Sequence, residues 1–175
     1  YGCAIPTGMG VVINEAKPKK KDICSVVGLG GVGIFSLIAL KAIGIKKIIG
    51  IDNNSKRLNF LKKLGFKNLI NINDKNYISK IDNITLGKKF DYVFESTGNS
   101  KSIENAFELL NNKSGKLYFS SHPKKGQKIS INPHDLISGK KIFGSWGGGS
   151  NLNKDILKFN NLILKSKIKL KKLYK

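Results

Sequence analysis

Three glycines and one aspartate carry the most legible chemistry in this chain. Gly28, Gly30 and Gly33 stand in the spacing G-x-G-x-x-G, with Gly31 inside it. The apolar stretch Ile23 to Gly28 leads into the glycines, and a helical pattern from Val32 to about Ala42 follows them. Asp52 lies 24 residues beyond Gly28, closing the run Ile48-Ile-Gly-Ile51. A pyrophosphate needs a tight turn, a backbone clear of side chains and the free N–H groups of a helix N-terminus. A carboxylate ending the second strand accepts hydrogen bonds from the adenosine ribose hydroxyls and repels a 2′-phosphate. Strand, glycines, helix, second strand and Asp52 in this order predict a dinucleotide site that takes NAD in preference to NADP.

The rest of the chain reads as the frame such a site requires. A helix is expected over Pro6 to Ala16, then a charged break at Lys17 to Lys21. Ile23 to Gly28, rich in β-branched residues, has the pattern of a strand buried on both faces. Further strands are expected at Lys47 to Asp52, Asn68 to Ile72, Tyr92 to Glu95, Lys116 to Ser120 and Lys141 to Trp146, with a short one at Lys128 to Ile131. Between them helices are expected after the glycines (an amphipathic one), over Ser55 to Leu64 with Gly65 as its C-cap, within Asp74 to Gly87, over Lys101 to Leu110 and over Asp155 to Ser166. A turn is expected near Pro133. Regular alternation of strand and helix predicts α/β architecture: a doubly wound, mostly parallel six-stranded sheet, the Rossmann fold. Residues 1–175 make a single domain, divided into a leading helix and linker (1–21), the core (22–166) and a return segment (167–175).

Composition sets limits on partners. The net charge is +21, yet 31 of the 32 basic residues are Lys, with Arg57 the exception, and they are spread over every segment. Lys, Ile and Asn together reflect AT-rich coding, whereas a nucleic-acid surface favours Arg forks, interleaved aromatics and a basic stripe. No specific nucleic-acid partner is expected. No apolar run reaches a membrane span, so no membrane partner is expected either. Cys3 and Cys24 are too few for a disulfide framework, which points to a reducing, cytoplasmic setting. The opening Tyr1 and the helix-like sequence behind it suggest a piece of a longer protein.

With these residues in hand, the chain resembles the coenzyme-binding domain of the zinc-dependent, medium-chain alcohol dehydrogenase family. Gly2-Cys-Ala-Ile-Pro-Thr-Gly-Met-Gly10 is similar to that family's G-C-x-x-x-T-G-x-G segment, at the family's spacing before the glycine turn. Ile51 to Arg57, Phe94 to Gly98, Ser130 to Pro133, Ser138-Gly139 and Gly144 to Gly148 follow in the family's order. The resemblance implies that Cys3 is a ligand of a catalytic zinc, one of the three protein ligands such a site needs; the alternative is a half-buried small residue on the first helix. It also implies that Thr7 and Val32 pack near the nicotinamide, although Val32 reads equally well as a helix-packing residue. Arg57 matches a basic residue near the ribose and opposes Asp52 in the choice of coenzyme. Thr97, Gly98, Ser120, His122 and Gly147 fall on loops that line the coenzyme in the family. By residue type His122 could serve as an acid or base, but a loop His in such a segment reads as a bystander, His134 as a surface residue, Glu95 as a structural strand end and Cys24 as core.

The family's remaining zinc ligands and its proton relay have no counterpart in this sequence. The resemblance therefore implies half of an enzyme, with no complete catalytic set, whose full protein moves hydride between an alcohol and NAD with zinc as Lewis acid. Its partners would be a small alcohol or carbonyl substrate, the missing catalytic domain and a second copy docked at the sheet edge from Ile142 to Trp146. Against that dimer stands an edge guarded by Lys140 and Lys141. The alternatives are an NAD-sensing module without chemistry, a zinc-free reductase of the same superfamily, and a basic nucleic-acid binder on a Rossmann frame.

Overall fold

The computed structural model describes residues 2–168, and their centre is a six-stranded sheet in the order β3-β2-β1-β4-β5-β6. The strands are Ile23–Val27 (β1), Lys47–Asp52 (β2), Leu69–Asn71 (β3), Tyr92–Glu95 (β4), Lys116–Phe119 (β5) and Lys141–Gly144 (β6). Every pairing is parallel, so the expected sheet is present and is parallel throughout rather than mostly so. The order reverses direction at β1, which puts a crevice between the carboxyl ends of β1 and β4, where open α/β sheets take their ligands.

Alternation along β1 divides the core. Cys24 and Val26 face one apolar cluster with Met9, Leu37, Leu40 and Phe159, and Ile23 and Val27 face the other with Ile49, Ile51, Phe90 and Phe107. This period of two is what a strand buried on both faces must show. The helices that cover these faces are Ala4–Gly10 (α1), Gly31–Ala42 (α2), Ser55–Lys63 (α3), Tyr77–Thr85 (α4), Ser100–Glu108 (α5), Pro133–Ile137 (α6) and Leu152–Lys165 (α7). Asn54, Asn99, Asn132 and Asn151 each cap a helix start by accepting a backbone N–H, which explains where α3, α5, α6 and α7 begin.

Several expectations need correction. The first helix begins at Ala4, not Pro6, and passes at Val11 into a π-helical turn, Val11–Ala16, that ends at a left-handed Lys17. The helix after the glycines is not amphipathic. Phe35 to Leu40 are all buried, because the sheet, α1 and α7 surround it. No strand forms over 128–131; the segment lies open, and its Ser130 N–H donates to Glu104 Oε1 at 2.8 Å. Pro133 opens a short helix instead of a turn. Lys140 does not guard the edge: it is buried, its Nζ 3.2 Å from Asp135 and over the Phe107 ring. The return segment falls mostly outside the described residues.

Candidate functional site

The crevice at the strand-order reversal is a cavity of about 640 Å³. Gly28, Gly30, Asp52, Arg57 and Thr97 line it, so five of the sequence-predicted residues meet there. Each glycine has a separate geometric cause. Gly28 sits at φ +81°, with Thr97 so close that a Cβ would lie 2.6 Å from its methyl. A Cβ on Gly33 would fall 1.9 Å from the Gly28 carbonyl oxygen, so α2 can approach the turn only without one. Gly30 meets nothing within 4 Å and caps α2 with bare backbone facing the cavity. The N–H groups of Gly31 to Gly33 precede the first helical donor, Ile34, and are left to serve an anion.

Asp52 ends β2 with its carboxylate fully engaged. Oδ2 accepts from Leu29 N–H at 2.6 Å and from the Arg57 guanidinium at 2.8 Å, and Oδ1 accepts from Asn54 N–H at 2.8 Å. The first of these bonds ties the glycine turn to the second strand, a role that its position in the sequence does not reveal. Arg57 is thereby charge-paired, with its side chain 38 % exposed.

Thr7, Val32 and Gly147 do not line this cavity; they belong to a corner beside it. A Cβ on Gly8 would lie 2.2 Å from the Val32 carbonyl oxygen, and one on Gly148 would lie 2.6 Å from that of Thr7. Ser150 Oγ donates to the Pro6 carbonyl at 2.8 Å, fastening the turn Gly147–Gly149 to α1. Cys3 stands at the start of α1, where its carbonyl accepts from Thr7 N–H. Cys3 is exposed, not the half-buried small residue that was the alternative to a zinc ligand. Among the described residues no group of three His, Cys, Asp or Glu side chains is placed to hold a metal ion. Cys24 is core, and burial pushes its thiol far above the usual range.

Ser120 and His122 line a second hollow of about 190 Å³ beyond β5, with Ser145 and Trp146 from the chain after β6. The His122 ring meets Trp146 edge-on at 5.0 Å. Gly98, at φ +74°, joins the two hollows: a Cβ there would lie 3.2 Å from the His122 carbonyl oxygen.

Sequence reasoning missed Ser96, Lys101 and Ser102, which also line the main cavity. Ser96 Oγ donates to the Gly28 carbonyl at 2.7 Å. A serine after a strand gives no signal of that bond, and one lysine among 31 gives none of a site. Glu95, at the end of β4, is fully buried. Burial pushes its carboxyl above the usual value, against hydrogen bonds from Thr97.

A family model described as zinc-binding dehydrogenase matches residues 31–163. The chain is 34 % identical over 172 residues to an alcohol dehydrogenase class-3 of Drosophila melanogaster, covering 93 % of this chain and 45 % of that protein. It is 31 % identical over 158 residues to alcohol dehydrogenase 6 of Peromyscus maniculatus, covering 90 % and 42 %. Among solved structures, benzyl alcohol dehydrogenase from Acinetobacter calcoaceticus superposes with a TM-score of 0.89 at 29 % identity, over 98 % of this chain and 47 % of that one. The chain thus spans under half the length of these relatives.

Proposed function

Because this chain belongs to the zinc-binding dehydrogenase family, we propose that it is the coenzyme-binding half of an NAD-dependent, zinc-dependent alcohol dehydrogenase. The observation that carries the reading is the cradle itself: bare backbone at Gly30, free N–H groups on Gly31 to Gly33, and the Asp52 carboxylate at the far end of one cavity. A pyrophosphate would lie on the α2 N-terminus and the adenosine ribose against Asp52. Thr97 and Gly98 would form the opposite wall, with Thr7, Val32, Ser120, His122 and Gly147 towards the nicotinamide. Arg57, paired with Asp52, would contact the ribose rather than await a 2′-phosphate.

The chemistry of the whole protein would be hydride transfer between an alcohol carbon and the nicotinamide, with zinc supplying the Lewis acid. Cys3 is the donor this chain would contribute, an exposed cysteine one helical turn from Thr7. The other ligands and the substrate pocket would come from the missing domain. The chain's own residues bind and orient the coenzyme and hold no catalytic acid or base. The same reading places the protein in the cytoplasm, in keeping with its two free cysteines, and pairs two copies through the open β6 edge, where Phe143 is 38 % exposed. The domain limits follow the sequence reading, with 22–166 as the core.

The test is calorimetric titration with NAD and NADP at roughly 0.15 M salt, where attraction to the basic surface is screened. Tighter binding of NAD, with the preference erased in Asp52→Asn, is the expected result. Equal or tighter binding of NADP overturns the coenzyme assignment.

A further inference from the structure

Among the described residues, Glu95 is the one buried carboxylate with an oxygen that finds no hydrogen-bond partner. Its Oε1 accepts from both the N–H and the hydroxyl of Thr97, the hydroxyl contact being short. Thr97 Oγ1 in turn accepts from Asn99 N–H at 3.2 Å. The donors therefore run in one direction: Asn99 to Thr97, and Thr97 to the carboxylate. Oε2 is buried with no hydrogen-bond partner. Such a group is costly to bury, and that cost needs a return.

What Glu95 holds in place supplies the return. Thr97 stands so close to Gly28 of the glycine turn that no Cβ would fit between them, and Gly98 lies beside the His122 carbonyl, so this two-residue segment is the wedge between the glycine turn of the main cavity and the loop of the second hollow. Thr97 also lines the cavity opposite Asp52. From this geometry we propose that Glu95 is a positioning residue for the coenzyme: ionised, it fixes the Thr97–Gly98 wedge, and taking a proton on Oε2 weakens that hold and loosens coenzyme binding. The proposal rests on the dinucleotide reading above.

Oε2 is the atom that takes the proton because Oε1 is occupied by two donors. Protonation turns two charge-assisted bonds at Oε1 into ordinary ones. The carboxyl titrates above the usual glutamate value of 4.5, since burial outweighs the Thr97 bonds and the nearby Ser102 hydroxyl, both of which favour the ionised form. The neighbours in register, Val27 on β1 and Phe119 on β5, carry no charge. The charged residues lining the cavity are Asp52, Arg57 and Lys101; the first two are paired and Lys101 binds Glu104.

The experiment is calorimetric binding of ADP-ribose to the full-length protein from neutral pH down towards 4.5. ADP-ribose keeps the nicotinamide and any metal-bound group out of the readout. Wild type should lose about tenfold in affinity through one inflection, the difference between charge-assisted and neutral hydrogen bonds. Glu95→Gln should show no inflection and bind at neutral pH as weakly as the protonated wild type. Thr97→Val removes the hydroxyl donor that favours the ionised form, so its inflection should move to higher pH. A Glu95→Gln profile like that of wild type, affinity that rises as pH falls, or an unmoved inflection in Thr97→Val each overturns the proposal. Failure of wild type to bind ADP-ribose at any pH removes the coenzyme reading and this proposal with it, whereas binding with an unchanged Gln profile removes only the latter.

Discussion

Asp52 and Glu95 close two parallel strands at the carboxyl end of the sheet, one on each side of β1; both are buried, and they are solvated by the protein in opposite ways. At the end of β2 the carboxylate receives three donors, one of them a guanidinium. At the end of β4 both hydrogen bonds converge on one oxygen, and the other has no hydrogen-bond partner, with only the Ser102 hydroxyl nearby. The first arrangement holds a charge where, on the proposed reading, a sugar is to be recognised. The second leaves a charge poorly supported and therefore sensitive to its surroundings. Burial alone does not decide what a carboxylate does; the number and direction of its donors do.

The largest expected effect breaks the comparison at its stronger end. Asp52→Asn keeps one acceptor and puts an amide against donors, so unfolding by urea should show a loss of about 3 kcal/mol. Glu95→Gln should do the reverse at neutral pH, with a gain of about 1 kcal/mol. The sign follows from linkage. A carboxyl raised above 4.5 in the folded state binds a proton more readily there than when unfolded, so its contribution to stability falls as pH rises through that window. The advantage of Gln should accordingly fade as pH drops towards 4.5. A variant more stable yet weaker in ADP-ribose binding would mark Glu95 as stability given up for function.

A third carboxylate sharpens the contrast. Glu104, on the exposed face of α5, has its carboxyl held below the usual value by the Ser130 N–H, then by Lys101. Its sign is opposite: the attachment is present above 4.5 and is lost as pH falls through the lower folded value. The protection of the Ser130 amide, its exchange rate set against that of an unstructured peptide at the same pH, should be high at neutral pH and fall in acid, and Glu104→Gln should make it low and independent of pH. The smallest effect belongs to Lys101→Met, which removes only an exposed ion pair. It should leave the urea midpoint unchanged within error.

The glycine turn and Asp52 were legible because their cause is local: a φ, a missing Cβ, a strand end. The same holds for the alternating core of β1. What escaped the sequence depends on contacts across the fold. The helix α2 has apolar residues at helical spacing, but only the packing of α1 and α7 makes it buried nearly all round. Lys140 looks like an edge guard until Asp135 and Phe107 close over it. Residues 128–131 have strand composition, but β6 takes the place beside β5, and the segment is held instead by the Ser130 N–H on Glu104. The burial of Glu95 was not readable at all, because nothing in Phe-Glu-Ser-Thr-Gly says which oxygen meets the threonine.

Trp146 is the sole indole in the chain, it is 82 % exposed, and it stands edge-on to His122 beside the second hollow. That makes the molecule its own optical gauge. Emission from an indole in water lies to the red, so anything that covers this corner, such as the second copy or further domain proposed above, must draw it to the blue. A reduced nicotinamide arriving nearby would instead drain the emission by energy transfer. Colour and brightness would thus separate the proposed assembly from the proposed coenzyme loading in one unlabelled sample.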